Sequence, residues 1–278
     1  MLEALGLWKY PLLTLLGGAV GAYGTLVGAG GGIILVPTLL LLYPYDSPNT
    51  IASISLAVVF FNTVSGTAAY GHMHRIDYRA GLLFGAAAAP AGILGAYTTS
   101  FLSRRTFDLA FGVLILCLAT FIILRPTPKR DTSGAHRGLT THTLTDFKGN
   151  SYSYSFSNRR GMLDTFGIGW VSSMLGMGGG AFYVPAMVYV LHFPLLIATA
   201  TSQLMLMLIS PIMSVAHAVA GNFAVGPVRT LFLGIGVLIG AQVGARLSQR
   251  LTGVSISRVL AGGLVLIGIR LAIHAFER

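Results

Sequence analysis

The sequence predicts an all-α integral membrane protein made of two homologous four-helix repeats, each with a glycine-broken first helix or a re-entrant half-helix. Three observations carry this. Of the 278 residues, 54% are hydrophobic and only 9% are charged, against roughly a quarter charged in soluble domains. The apolar stretches are continuous and long enough for helical spans, which need about 20 residues each, whereas strands of a membrane barrel would alternate apolar and polar residues. Finally, Gly28-Ala29-Gly30-Gly31-Gly32 followed by Val36-Pro37 returns as Gly176-Met177-Gly178-Gly179-Gly180 followed by Val184-Pro185, at a constant offset of 148 residues.

Taken in order, the first half (1–125) opens with an apolar segment at 11–27, the glycine break, and a short apolar run at 33–43. Together these are too long for one straight span and too short for two, so a full span plus a half-length helix is expected, hinged at the glycines. A polar turn, Tyr43 to Asn49, leads to a helix over 50–70, and two further spans are expected at 80–102 and 107–124. Residues 126–160 form a basic soluble linker. Within it Tyr152, Tyr154 and Phe156 alternate with serines after a Lys148-Gly149-Asn150 turn, the pattern of a β-hairpin. A short polar hairpin buries little apolar surface, so the linker is expected to be dispensable for folding of the membrane core. The second half (161–278) repeats the order with segments at 161–175, 181–191, 195–219, 228–247 and 257–275. Pro48, Ala52 and Ser55 match Pro194, Ala198 and Thr201 at an offset of 146.

The formal charge of +10 would suggest nucleic acid in a soluble protein. Here the cations lie between spans, where topology accounts for them, and no nucleic-acid partner is expected. Four crossings per half put both termini and the linker on one side and make the halves parallel, related by an axis along the membrane normal. That side collects Arg75, Arg79, Arg125, Lys129, Arg130, Arg159, Arg160, Arg229 and Arg278, and the other Arg104, Arg105, Arg246, Arg250 and Arg258, so the first side is expected in the cytoplasm. Met1 to Tyr10 contains Glu3 and Lys9 and no cleavage signature follows closely, so the first span is expected to stay in the mature chain. The single cysteine, Cys117, excludes an intramolecular disulfide and reads as a small packing residue.

Candidate chemistry is sparse. The second glycine block fits G-x-G-x-x-A, but no βαβ pattern surrounds it and no acidic ribose partner follows, which excludes a dinucleotide loop. His72 and His74 lack a metal-ligand constellation, and no G-x-S-x-G or H-E-x-x-H motif is present, so neither a metal, a cofactor nor an enzymatic activity is expected. Three consecutive glycines cost helix propensity at about 1 kcal/mol each, so the triplets read as functional breaks. Gly17-xxx-Gly21, Gly24-xxx-Gly28 and Gly236-xxx-Gly240-xxx-Gly244, by contrast, read as packing ridges. Uncharged polar residues gather near the breaks: Ser53, Ser55, Asn62 and Ser65 in one half, and Thr199, Thr201, Ser202, Gln203, Ser210 and His217 in the other. The candidate site therefore comprises Gly30, Gly31, Gly32, Ser55, Asn62, Gly178, Gly179, Gly180, Thr201, Ser202 and Gln203. Backbone N–H groups at helix starts, helix dipoles and hydroxyls hold a small anion without a fixed buried cation.

The twin G-x-GGG-x₃-V-P blocks, each followed about fifteen residues later by an A-x-x-[ST] helix start, resemble the TauE/SafE sulfite exporter family of the toluene sulfonate uptake permease superfamily. The resemblance covers both halves. It implies an inner-membrane secondary transporter for sulfite, a sulfonate or a related sulfur-containing or organic anion, built from two four-helix repeats. The family's Thr-Ser pair is kept at Thr201-Ser202 and lost at Ile54-Ser55. An uncoupled channel or facilitator and a membrane scaffold are the alternative classes. Protons as coupling ion, with His217 as their carrier, and self-association into a homo-oligomer stay open.

Overall fold

The computed structural model describes residues 9–124, 140–220 and 226–251, together with 255, 256, 258, 259 and 262. The chain ends, the first part of the linker and nearly all of the segment expected at 257–275 lie outside the described residues. The elements in chain order are α1 (Lys9–Val27), α2 (Gly32–Leu42), α3 (Pro48–His72), α4 (Tyr78–Thr99), α5 (Arg104–Leu124), β1 (Thr140–Thr145), β2 (Ser151–Phe156), α6 (Asn158–Met174), α7 (Gly180–Tyr189), α8 (Leu195–Ala220) and α9 (Gly226–Ser248). Helices α1, α3, α4, α5, α8 and α9 are long and apolar enough to cross a membrane, whereas α2 and α7 are shorter apolar helices. The outward faces carry Leu82, Ile93, Leu109, Val113, Val215 and Ile239, the apolar surface that lipid covers in a multi-pass membrane protein.

Local chemistry sets the helix starts. Ser47 accepts from the Thr50 amide and Pro48 occupies the first position of α3, where its missing N–H costs nothing. Asp77 caps α4 by accepting from the Ala80 amide. Helices α2 and α7 instead begin at glycines in the left-handed region, Gly31 at φ 88° and Gly179 at φ 97°.

Neighbouring helices run in directions that their contacts fix. Positions 17 and 21 of α1 abut Leu233 and Val237 of α9, and Gly240 and Gly244 abut Gly18 and Ala22, so these two helices are parallel. The Gly17-xxx-Gly21 and Gly236-xxx-Gly240-xxx-Gly244 ridges thus pack against each other, backbone to backbone, whereas Gly24 abuts Gly30 and Gly31, and Gly28 belongs to the loop, against Thr199 and Ser202. Helix α6 is likewise parallel to α4, with Gly161 on Phe84, Gly169 on Ala88 and Gly95 on Trp170 and Ser173. The long helices α3 and α8 are antiparallel: Ser53 Oγ donates to the Ser214 carbonyl (3.1 Å), Ser214 Oγ to the Ser53 carbonyl (3.0 Å), and Gly66 lies on Gln203.

This geometry corrects the expected topology. After α1 the chain doubles back, and Gly31 packs on Val20. The α1–α2 unit begins with Tyr10 beside Phe232 (ring centroids 4.5 Å apart) and ends with Tyr43 under Arg229 (3.5 Å), Phe232 and Arg229 being one turn apart on α9. It therefore enters and leaves at the same end of the bundle and adds no net crossing. The α6–α7 unit behaves the same way, because Gly161 near its start and Phe193 after its end both meet Phe84. Counting α1–α2 and α6–α7 as crossings, with parallel halves, fails for this reason; among the described residues α3, α4 and α5 then give three crossings before α6, and the antiparallel α3 and α8 agree with that odd number. Arg229 consequently lies at the end of Arg104, where both reach Asp46, while Ser248 and Arg250 close α9 at the opposite end. The start of α1 and the hairpin likewise lie at opposite ends.

Two further expectations are overturned. Cys117 is exposed, because α5 buries one stripe, Phe107, Phe111, Ile115, Leu118 and Ile122, and position 117 falls off it. The hairpin of the linker does bury apolar surface, so the expectation that it buries little fails. Strands β1 and β2 pair antiparallel with Thr140 opposite Phe156 and Thr145 opposite Ser151, and Tyr154 and Phe156 enter a buried cluster with Phe84, Phe193 and Tyr183.

Candidate functional site

The two glycine blocks adopt one conformation twice. Gly28, Gly30 and Gly31 have φ of 76°, 69° and 88°, and Gly176, Gly178 and Gly179 have 69°, 75° and 97°. The Ala29 amide donates to the Gly24 carbonyl (2.8 Å), as Met177 does to Ser172 (3.0 Å). The Leu35 amide donates to Gly31 (3.1 Å), as Tyr183 does to Gly179 (2.8 Å). A side chain at Gly31 or Gly179 would meet both the strained φ and a neighbour: Val20 in one case, Tyr183 and Ser172 in the other.

The blocks touch. A Cβ on Gly32 would strike the Met177 backbone, and one on Gly180 would strike Gly28 and Ala29. Gly30 and Gly178 both face Val59 and Leu206, near the middle of α3 and α8. The first turns of α2 and α7 thus meet at mid-bundle from opposite ends, and the first amides of each helix have no intrahelical acceptor. Each N-terminus carries about half a positive charge.

Around this junction the expected polar residues divide. The single Ser202 Oγ proton is shared between the Gly28 carbonyl (2.7 Å) and the Thr199 carbonyl (2.9 Å), so it ties the first loop to α8. Gln203 Nε2 donates to the Gly24 carbonyl (3.2 Å), and its Oε1 is buried without a partner among the described residues. Asn62 Oδ1 accepts from Thr25 (3.2 Å), leaving Nδ2 buried and likewise unpartnered. Ser55 is fully buried, and its hydroxyl too has no partner among the described residues. It lies one turn after Ala52, which Gly176 packs on, and one turn before Val59, which Gly178 packs on. Thr201 does not join them, because its hydroxyl accepts from the Asp77 amide (3.0 Å) at the α3–α4 turn. Since Gly28 abuts Thr199 as Gly176 abuts Ala52, the residue of α8 in the position of Ser55 is Ser202, not Thr201.

Several polar contacts are not evident from the sequence. Thr25 links Asn62 to Tyr70, whose hydroxyl donates to the Thr25 carbonyl (2.9 Å). His217 is buried between Asn49 Oδ1 (2.9 Å) and the Ser173 carbonyl (2.8 Å). A carbonyl only accepts, so Nε2 carries a proton here. The available signal is position: Gly24-Thr25 and Ser172-Ser173 both end the helix before a glycine block. At the hairpin, Asp77 Oδ2 accepts from Tyr154 (2.7 Å) and pairs with His142 Nδ1 (2.5 Å). Burial and then the Asp77 carboxylate push the Tyr154 hydroxyl above its ordinary range, so it stays protonated and donating.

A sequence profile described as sulfite exporter TauE/SafE matches residues 13–271. The chain is 31% identical over 269 residues to the probable membrane transporter protein YunE of Bacillus subtilis, covering 95% of this chain and 97% of that one. It is 22% identical over 280 residues to a probable membrane transporter protein of Methanocaldococcus jannaschii, covering 93% and 94%. No solved structure matches.

Proposed function

Because this chain belongs to the sulfite exporter TauE/SafE family, we propose that it is a secondary transporter that moves a small anion across the inner membrane, the substrate being sulfite, a sulfonate or a related sulfur-containing or organic anion. The observation that carries this reading is the head-to-head meeting of α2 and α7 at mid-bundle, beside two buried donors, the Ser55 hydroxyl and Asn62 Nδ2, that have no partner among the described residues. An anion leaving water needs several donors at once in a low-dielectric layer, and two helix starts with hydroxyl and amide groups supply them. Gly30 to Gly32, Gly178 to Gly180, Ser55, Asn62, Ser202 and Gln203 form the binding region in this account. Thr201 acts at one remove, through the α3–α4 turn.

The reading includes two repeats, 1–125 and 161–278, of inverted rather than parallel topology. Matched loop dihedrals, the reciprocal Gly32–Met177 and Gly180–Ala29 contacts and the exchange of partners, α1 with α9 and α6 with α4, support it. Inverted repeats with discontinuous helices at a central site suit alternating access. The hairpin end holds Arg75, Arg79, Arg159, Arg160, Arg246 and Arg250, and the other end Lys9, Arg104, Arg105 and Arg229, so we orient the hairpin towards the cytoplasm.

Sulfite and methanesulfonate flux into proteoliposomes, with and without an imposed pH gradient, tests the proposal. Saturable flux that follows the gradient supports a proton-coupled carrier, in which His217 is the residue we expect to carry the proton. Saturable flux indifferent to the gradient supports a facilitator. Flux no faster than in empty liposomes would overturn both.

A further inference from the structure

The residue that the anion reading leaves unused is Arg75, in the turn between α3 and α4. It is only 3% exposed, and its Nε and Nη1 have no hydrogen-bond partner among the described residues. A guanidinium is costly to bury, and leaving its donors unpaired adds to that cost. The chain nonetheless turns to place it there: His74 adopts φ 52°, rare outside glycine, and the Arg75 amide returns to the Tyr70 carbonyl (3.3 Å).

The hairpin turn docks beside Arg75. The Phe147 amide donates to the Met73 carbonyl (3.2 Å), and the charge of Arg75 acts on the neighbouring Asp146 carboxylate. That carboxylate is already occupied by its own turn, accepting from the Lys148 amide, the Asn150 amide and Asn150 Nδ2 at 2.9, 2.9 and 3.1 Å. It satisfies neither of these buried donors of Arg75. On the inner side, Tyr70 leads from this turn to Thr25 and on to Asn62, a line of polar groups that ends at the glycine loops.

We propose that Arg75 is a second anion subsite at the hairpin end of the pathway, where its guanidinium receives an oxyanion such as sulfite or a sulfonate head group and the Asp146 carboxylate is the resident counter-charge that the oxyanion displaces. This rests on the anion-transport reading and adds an entrance to it. Arginine suits the task because it stays charged and directs several N–H groups at oxygen atoms. The hairpin is then a cover whose acidic turn competes with substrate.

The test is equilibrium binding of sulfite and of methanesulfonate to the purified full chain in detergent, at low salt. Arg75→Gln should weaken binding by about tenfold or more, the scale of a lost charge-assisted hydrogen bond, and Arg75→Lys by less. Asp146→Asn keeps an acceptor for the turn amides and removes the competing charge, so it should tighten binding several-fold. A purely structural Arg75 predicts no tightening in Asp146→Asn. Parent-like affinity in both Arg75→Lys and Asp146→Asn would overturn the subsite, even where Arg75→Gln does not fold. A parent protein that binds neither anion would instead remove the transport reading, and this subsite with it.

Discussion

Alanine at the cap of each short helix separates backbone strain from close packing, because the hairpin supplies an internal control. Gly149 has φ 80°, and none of the described residues comes within 4 Å of the place its Cβ would take, so Gly149→Ala should cost only the left-handed backbone, about 1–2 kcal/mol. Gly31 has φ 88°, and its Cβ would stand 2.7 Å from Val20 Cγ1 and 3.2 Å from the Val20 carbonyl oxygen. Val20 is itself buried at 2% exposed, and its carbonyl belongs to the α1 backbone. Overpacking of this kind adds about 1–3 kcal/mol, for a total of about 2–5 kcal/mol. Gly179→Ala should match it, since Tyr183 at 2.5 Å and Ser172 Oγ at 2.8 Å crowd the same place. Thermal unfolding of the three variants in one detergent reads the order, with Gly149→Ala nearest the parent and the other two well below it. Three equal shifts would refute the packing part of the argument, and a parent-like Gly31→Ala would refute both parts.

Three more outcomes follow from the same contacts. Phe156→Ala, which empties a position 2% exposed among Phe84, Phe193 and Tyr154, should cost about 3–5 kcal/mol and make the hairpin sensitive to protease; unchanged protease resistance would count against a docked hairpin. Burial pushes the Asp146 carboxyl up, but hydrogen bonds from Asn150 and Lys148 and the charge of Arg75 outweigh it and hold the group below the usual range. Its contribution to the turn is therefore fully present above the ordinary aspartate pKa and lost as pH falls through the lowered one; hydrogen exchange at residues 146–150 should rise only at that acid extreme, and not in a pH-independent manner. Ser202→Ala removes a donor to the Gly28 carbonyl (2.7 Å) and should slow anion flux about two- to tenfold, the value of one hydrogen bond of about 0.5–1.5 kcal/mol. Parent-like flux would leave Ser202 as a packing residue.

Composition and the twin glycine blocks are enough to read a helical membrane protein and to single out the two loops, because both signals are local. What the sequence hides is set by contacts distant along the chain. The fold-back of α2 depends on Gly31 reaching Val20, and without that contact the α1–α2 unit counts as a crossing and inverts the side assigned to everything from α3 to the hairpin; the same miscount at α6–α7 then restores the side of α9, which is how Arg229 comes to be separated from Arg104. Ser55 aligns with Thr201 by proline-to-helix spacing at an offset of 146, yet Gly28 and Gly176 meet Thr199 and Ala52, one residue out of that register. The alternation of Tyr152, Tyr154 and Phe156 is visible in the sequence, but not the slot between Phe84 and Phe193 that receives two of the three. Arg75 reads as an ordinary loop cation, whereas the structure buries it.

The most direct test of the central claim is Ser55→Ala, because this hydroxyl is fully buried and bonded to nothing among the described residues. A buried unpaired polar group costs stability, so alanine should leave the unfolding temperature unchanged or raise it. If the hydroxyl is there for an anion, sulfite or methanesulfonate flux in proteoliposomes at matched incorporation should nevertheless fall about two- to tenfold. A variant as stable as the parent and slower in flux is the predicted result; a variant as stable as the parent and equally fast would contradict an anion site between the glycine loops.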